Sequence, residues 1–383
     1  MRDAVIVEAV RTPVGKRRGG LSALHPADLS AHVLRALQER SGIDPALVDD
    51  VIWGCVSQVG EQTFDIARTA VLSAGWPESV PGTTVDRQCG SSQQALHFAA
   101  AGIVSGQYDV AVAGGVESMS RVPMGSAVSE GLSPLGTGYV TRYGPGFPNQ
   151  GLGAEMIADQ WKITRTEADE FALESHLRAA ASVDEGRTRP QIAPVTTPAG
   201  DIVSVDEGIR RETTLEKLAS LNLAFRPDGI VTAGNSSQIS DGSAALLLTT
   251  SEKARELGLP PLARVHTAVL AGTDPNIMLT GPIPATRKAL VKSGLSLPDI
   301  GVFEINEAFA TVVLAWLKET AADRALVNPN GGAIALGHPL GGSGARLATD
   351  LISHMRDHDI RYGLQAMCEG GGQANATIFE LVR

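Results

Sequence analysis

Residues 41–54 contain Ser41-Gly42-Ile43 and then Asp50-Val51-Ile52-Trp53-Gly54, and residues 293–303 contain Ser293-Gly294-Leu295 and then Asp299-Ile300-Gly301-Val302-Phe303. Each reads as a helix stop at glycine, a short turn and a buried strand. About fifty residues beyond each Ser-Gly pair comes a second matching piece. One is Thr84-Val85-Asp86-Arg87-Gln88-Cys89-Gly90-Ser91-Ser92; the other runs from Leu326-Val327-Asn328-Pro329 to Gly341-Gly342-Ser343-Gly344. Each predicts a short strand, a turn of small residues and a helix. Later in each half a strand ends in glycines, Val110-Ala111-Val112-Ala113-Gly114-Gly115 and Gln365-Ala366-Met367-Cys368-Glu369-Gly370-Gly371-Gly372. Matching order and spacing point to a duplicated unit.

Outward from these pieces the alternation continues. Apolar runs at Asp3–Val10, Asp50–Val56, Asp109–Ala113, Val302–Ile305 and Leu364–Met367 predict strands. Helical periodicity covers Ala27–Arg40, Ser91–Val104, Lys288–Ser293 and Gly344–Met355. Strand–helix alternation is the signature of an α/β fold with helix-covered sheets. The stretch from Ser118 to about Gly153 is rich in Gly, Ser and Pro, followed by a helical region over Thr166–Glu185 and a polar extended region to Asp241. Residues 119–237 are therefore expected to form a lid-like insertion riding on the first half. The halves are expected at 1–253 and 258–383.

Composition excludes more than it names. With 32 basic and 42 acidic residues the net charge is −10, which is unsuited to a general nucleic-acid binder or a protein held to anionic lipid by charge. Three cysteines without CxxC spacing form neither a disulfide framework nor a zinc site, and no metal site is expected. The first residues carry Asp3 and Glu8 where a signal core would be apolar, and no run is long enough to span a bilayer. A cytoplasmic protein with no membrane partner is expected.

Cys89 falls where a strand gives way to a helix, a place whose free N–H groups and dipole favour negative charge and a lowered thiol pKa. His338 lies in Gly337-His338-Pro339 before another helix, the one histidine of eight in such a turn. The adjoining glycines lack the Lys-Ser/Thr of a phosphate loop and the pattern of a dinucleotide fold. Cys368 ends a strand beside a glycine run that frees backbone N–H groups toward a ligand. Asn306 precedes an apolar helix and could equally be its N-cap. Two thiols and an imidazole in such settings suggest nucleophilic acyl chemistry with separate acid/base groups.

Read together, these segments resemble the thiolase family over essentially the whole chain. They are Arg11-Thr12-Pro13-Val14-Gly15-Lys16, Val85 to Ser92, Gly114-Gly115-Val116-Glu117-Ser118-Met119-Ser120, Thr232 to Ser237 with Asp241-Gly242, Asn306-Glu307-Ala308-Phe309-Ala310, Gly331 to Pro339, and Cys368 to Gly372. The resemblance implies a duplicated, five-layered α-β-α-β-α core with an inserted loop domain, and homodimers or homotetramers. It implies Cys89 as the acylated nucleophile, Cys368 as acid/base, and His338 activating Cys89 and sharing an oxyanion site with a water held by Asn306. The N–H groups of Cys89 and Gly370 would form a second oxyanion hole. Ser237 and Arg210 match positions that touch coenzyme A, a co-substrate, with no tightly bound cofactor; Arg210-Arg211 is a local basic feature for an anionic ligand.

The implied activity is thiolysis of 3-ketoacyl-CoA to acetyl-CoA and a shortened acyl-CoA. Asn149-Gln150-Gly151 stands where short-chain biosynthetic members often carry His-Met-Gly, which favours degradative substrates longer than acetoacetyl-CoA. Glu369 replaces a commoner apolar residue. Rivals are the biosynthetic acetoacetyl-CoA direction, a decarboxylating ketoacyl synthase, which would need a second histidine at Asn306, and a thiolase-like CoA- or lipid-binding protein without catalysis.

Overall fold

The computed structural model describes residues 2–128, 133–146 and 148–382; part of the Gly-rich stretch (129–132 and 147) lies outside them. In chain order the first half contains β1 (Val5–Arg11), β2 (Gly15–Lys16), α1 (Pro26–Ser41), β3 (Asp50–Gly54), α2 (Ile66–Ser73), β4 (Gly82–Val85), α3 (Ser91–Ser105) and β5 (Val110–Ser118). There follow α4 (Thr137–Tyr143), α5 (Gln150–Trp161), α6 (Arg165–Asp184), β6 (Val195–Thr196), β7 (Ile202–Val203) and α7 (Leu215–Ala219), then β8 (Ser240–Thr249) and α8 (Ser251–Leu257). The second half contains β9 (Ala263–Gly272), α9 (Pro282–Ser293), β10 (Val302–Ile305), α10 (Ala310–Thr320), α11 (Ala333–Leu336), α12 (Leu340–Asp357), β11 (Tyr362–Glu369) and β12 (Gln373–Leu381).

The repeated Ser-Gly marks the same event twice. Gly42 and Gly294 cap α1 and α9 at φ 71° and 75°, left-handed positions that glycine takes without a Cβ penalty. A single 3-10 turn and a buried strand follow in both halves. In sheet order, β4-β3-β5-β8-β1 mirrors a second set in which Val327 bridges β10, followed by β11, β12 and β9. The outer pairs β3/β4, β3/β5 and β10/β11 are parallel, and β5/β8, β8/β1, β11/β12 and β12/β9 are antiparallel. The two sets join where Val5 and Ile6 pair with Arg264 and Ala263.

Period-2 alternation gives each sheet two apolar faces. Val51, Trp53, Val112 and Leu247 pack under α1 and α2. Their neighbours Ile52, Ala111, Ala113 and Leu246 turn the other way, onto α3 and α12. In the second half Phe303, Leu364 and Ile378 pack under α9 and α10. Helices α3 and α12 thus form a buried central layer between the two strand sets, with helices outside each: five layers.

Three expectations need correction. The helix expected from Gly344 begins at Leu340, so Gly341 and Gly342 lie inside α12 rather than in a turn before it. Likewise β5 runs through Gly114 and Gly115 to Ser118 instead of ending there. Close approach is the cause: a Cβ on Gly341 would lie 2.3 Å from the Val116 carbonyl, and one on Gly115 would lie 2.2 Å from the Gly341 carbonyl. Thirdly, the insertion does not ride on the first half alone. Ala154, Ile157 and Ala158 of α5 pack against Val312 and Ala315 of α10, and Ala168 and Phe171 of α6 join the core of the second half. It is tied to the first half as well, by Ala193 and Val195 in that half's core, by backbone bonds between Arg11 and Gln191 and Ala193, and by the buried Arg11–Asp206 ion pair (2.7 Å).

A Gly344→Ala variant tests the glycine contacts. On an open helix the change gains up to ~1 kcal/mol, but here the new Cβ would meet Gln93 N at 2.3 Å and Gln93 Cα at 2.9 Å. A loss of about 1–3 kcal/mol in denaturant unfolding is expected; unchanged or increased stability would show that the backbones need not meet.

Candidate active site

The turn carrying Cys89 is held open by side chains. Gln88 takes φ 48°, a left-handed position that costs a non-glycine residue ~1–2 kcal/mol. Asp86 Oδ1 accepts from Gln88 N (2.6 Å), while Ser91 Oγ accepts from Arg87 N (2.9 Å) and donates to the Gln88 carbonyl (2.5 Å). Cys89 is thereby set two residues ahead of α3, with Gly90 as N-cap. It is buried with Met119, Leu340, Leu347 and Met367. Burial and the Glu369 carboxyl push its thiol up to about 12, against N–H groups of its own residue and of Gly370. The expected lowering by the helix start is not found. Gly90 N and Ser91 N bond the Arg87 and Gln88 carbonyls, so the first turn has little to offer the sulfur.

His338 sits two residues ahead of α12, the position equivalent to Cys89 in the other half. Its Nδ1 lies 2.6 Å from Ser343 Oγ, and that hydroxyl donates to the Pro339 carbonyl (2.8 Å). With its one hydrogen so used, Ser343 must accept from Nδ1–H, which leaves the lone pair on Nε2. Burial, with Arg346 nearby, lowers the imidazole to about 3, so it is a neutral base at rest. Ser343 carried no role in the sequence reading; its spacing of five from His338 is the signal that could have found it.

Asn306 joins the pieces. It is not the N-cap of α10, which begins four residues later after Phe309. Instead Nδ2 faces His338 Nε2 at 3.5 Å, and the side chain also hydrogen-bonds the Cys368 thiol. Its buried Oδ1 has no donor from the protein. Cys368 is fully buried, and desolvation followed by the neighbouring Cys89 and Glu369 holds its thiol well above the ordinary range. Cys89, His338, Cys368, Asn306 and Gly370 therefore converge, drawn from both halves.

Two buried carboxylates brace this convergence. Glu117 accepts from Val56 N (3.0 Å), Ser57 N (3.0 Å), Gln62 Nε2 (2.7 Å) and Gly341 N (2.8 Å), tying the loop after β3 to the first turn of α12. Glu307 accepts from Ser175 Oγ (2.6 Å), Asn328 Nδ2 (2.9 Å) and Ile334 N (3.2 Å), tying α6 to α11. Both stood in quoted motifs without a role.

Arg210 lies apart from the thiols, on a cleft of about 410 Å³ that Arg211, Lys217 and His176 also line. Arg211 is engaged by Asp184 (2.8 Å), and His176 Nδ1 accepts from Arg210 N (3.1 Å). Gln238 lines the cleft too, and its carbonyl accepts from His338 N (3.1 Å), so the cleft and the imidazole share a wall. Ser237, matched with Arg210 for coenzyme A, is not among the residues that line the cleft; it adjoins Gln238 in the chain, and its N–H bonds the Ala308 carbonyl (2.9 Å). Lys217 and Gln238 were not anticipated. Asn149, expected to bear on chain length, is exposed and caps α5 by accepting from Gly151 N (2.9 Å) and Leu152 N (3.1 Å). No metal-binding group of side chains and no helix long and apolar enough to cross a membrane occur among the described residues.

These features define a duplicated α/β protein whose two-thiol, one-imidazole site is built across its halves. Residues 4–252 match the family model "Thiolase, N-terminal domain", and residues 259–381 match "Thiolase, C-terminal domain". A steroid 3-ketoacyl-CoA thiolase of Mycobacterium tuberculosis is 51% identical, covering 99% of this chain and 94% of its own. A 3-ketoacyl-CoA thiolase of Pseudoalteromonas translucida is 47% identical over 100% of both chains. The crystal structure of the Bacillus anthracis acetyl-CoA acetyltransferase superposes with a TM-score of 0.93 at 41% identity, covering 100% of this chain and 99% of that one. The chain belongs to the thiolase family of acyltransferases.

Replacing Ser343 by Ala removes the acceptor that fixes the His338 tautomer. Cys89 acylation is expected to slow about ten- to a hundredfold in rapid-quench assays; an unchanged rate would show that the tautomer does not matter. Because the imidazole stays neutral down to about 3, the acylation rate should show no step near pH 6.5, where an unperturbed histidine charges.

Proposed function

We propose that this protein is a 3-ketoacyl-CoA thiolase, cleaving its substrate with CoA into acetyl-CoA and an acyl-CoA two carbons shorter. The observation that carries the reading is the convergence of Cys89, Cys368 and His338, with Asn306 bonded to both of the latter and Gly370 N–H turned to the Cys89 sulfur. In this reading His338 Nε2 takes the Cys89 proton as the sulfur attacks the 3-keto carbon. The C2–C3 bond then breaks, Cys368 protonates C2 of the departing acetyl-CoA, and the acyl group stays on Cys89. A CoA thiol next gives its proton to Cys368, attacks the acyl carbon and displaces Cys89, which recovers its proton from His338. The resting states suit this order: a neutral imidazole is ready to accept, and a high-pKa Cys368 is ready to donate. Since the empty site disfavours a Cys89 thiolate, proton transfer and carbon–sulfur bond formation belong to one step, with the Cys89 and Gly370 N–H groups receiving the developing charge.

The cleft at Arg210 and Lys217, with Ser237 beside it, is the CoA site in this proposal, the cations meeting its phosphates. Residues 1–253 and 258–383 are the two halves, with 119–237 as the insertion carrying the cleft. Cytoplasmic residence and a homodimer or homotetramer belong to the same reading. The similarity to an acetyl-CoA acetyltransferase keeps acetoacetyl-CoA synthesis as the second reading.

Incubation with a 3-ketoacyl-CoA followed by peptide mapping should find the acyl group on Cys89; label on Cys368 with Cys89 bare would overturn the assignment. His338→Ala and Cys368→Ser should each lower turnover about 10²–10⁴-fold, Cys368→Ser sparing acylation by a simple acyl-CoA. Across four- to ten-carbon 3-ketoacyl-CoA substrates, kcat/KM should rise by about tenfold for two added carbons at roughly 0.8 kcal/mol per methylene. A steep fall beyond four carbons would favour the second reading.

A further inference from the structure

Glu369 is a buried carboxyl that the proposed reaction does not use. It ends β11 directly after Cys368, and neither of its oxygens has a hydrogen-bond donor of good geometry. A methyl group built on Gly90 would lie 2.0 Å from Glu369 Oε1 and 2.2 Å from Asn375 Oδ1. Both oxygens are thus turned to one point on the loop that carries Cys89. Asn375 Oδ1 is also buried without a donor, while its Nδ2 donates to the Gly90 carbonyl (3.3 Å). Flipping the amide would aim its oxygen at that carbonyl and exchange one acceptor clash for another. A single hydrogen on Glu369 pairs one of its oxygens with the Asn375 oxygen, because a protonated carboxyl can donate to the amide oxygen, and it leaves the other Glu369 oxygen uncharged.

We propose that Glu369 is a positioning residue acting in its protonated form: it donates to Asn375 Oδ1, and the Asn375 amide holds the Gly90 carbonyl and with it the Cys89 turn. Gly90 also receives Gln94 N at the start of α3 (2.8 Å), so the clasp fixes β12 of one half to the central helix of the other. Burial supports the protonated form, pushing the carboxyl up to about 8. Arg87 and the Asn375 N–H pull it down, and Asp86 adds to the rise. The groups facing it are therefore Asp86 and Arg87 from the turn after β4, Cys89, and Cys368 on its own strand; Arg87 is shared with Gln373 Oε1 (2.8 Å). Loss of the proton would break the clasp and set a negative charge beside both thiols.

The inference rests on Cys89 as the nucleophile of the proposed reaction, but its test needs no acyl-CoA, so the two can fail separately. The measurement is Cys89 alkylation by iodoacetamide, followed by peptide mass from pH 6 to 9.5. In the unaltered enzyme the logarithm of the rate should bend below unit slope near pH 8. Glu369→Gln, whose amide can still donate to Asn375, should keep unit slope. Its rate relative to wild type should rise from near one at pH 6.5 to about fivefold or more at pH 9. Unit slope in the unaltered enzyme, or a constant ratio, would overturn the proposal. Should the glutamine variant not fold, Glu369→Asp gives an infrared difference spectrum in its place. A protonated carboxyl band present at pH 7 and lost above pH 8 supports the clasp; its absence at pH 7 overturns it.

Discussion

Backbone meeting backbone between the two halves is the constraint on which the site depends. Gly54 of β3, Gly115 of β5 and Gly341 of α12 come together so closely that a Cβ on any of them would lie within 2.6 Å of a backbone atom of another part of the chain. Such contact is open only to residues without side chains, and it is held by the Glu117 carboxylate, which accepts N–H groups from both sides. His338 is carried on the turn just before Gly341, and Cys89 on the turn beside Ser92, whose N–H lies against Gly54. Widening the contact by one methyl would separate the imidazole from the thiol before it disturbed either local turn.

The same close packing dries the site. Every group that could transfer a proton is driven toward its neutral form: both thiols upward, the imidazole downward, and Glu369 upward. Burial dominates each shift, and the N–H groups at Cys89 and Gly370 only moderate it. A dry, uncharged pocket with two N–H groups and an orphaned amide oxygen has its polarity aimed at where charge arises during reaction, not at where it rests.

Local signals were legible in the sequence wherever they arise within one element. Gly42 and Gly294 mark helix ends because only local backbone geometry is involved, and the thiol and imidazole were readable from the small residues around them. Where meaning depends on a partner distant in the chain, the reading failed. Gly341 resembles a loop residue until Val116 is seen against it. Cys89 at a helix start promises a low pKa until residues from the other end of the chain, Leu340, Leu347 and Met367, are found burying it. The insertion follows β5 in sequence, yet the apolar residues of its helix α5 match α10.

Cys89 and His338 occupy equivalent places, each two residues before a central helix of its own half. A pair of identical subunits arranged like these halves would have to present thiol to thiol or imidazole to imidazole across its axis. Joining the halves in one polypeptide frees the two positions to diverge, so that one carries a thiol and the other an imidazole. Covalent linkage is thus what permits a division of labour that symmetry would forbid.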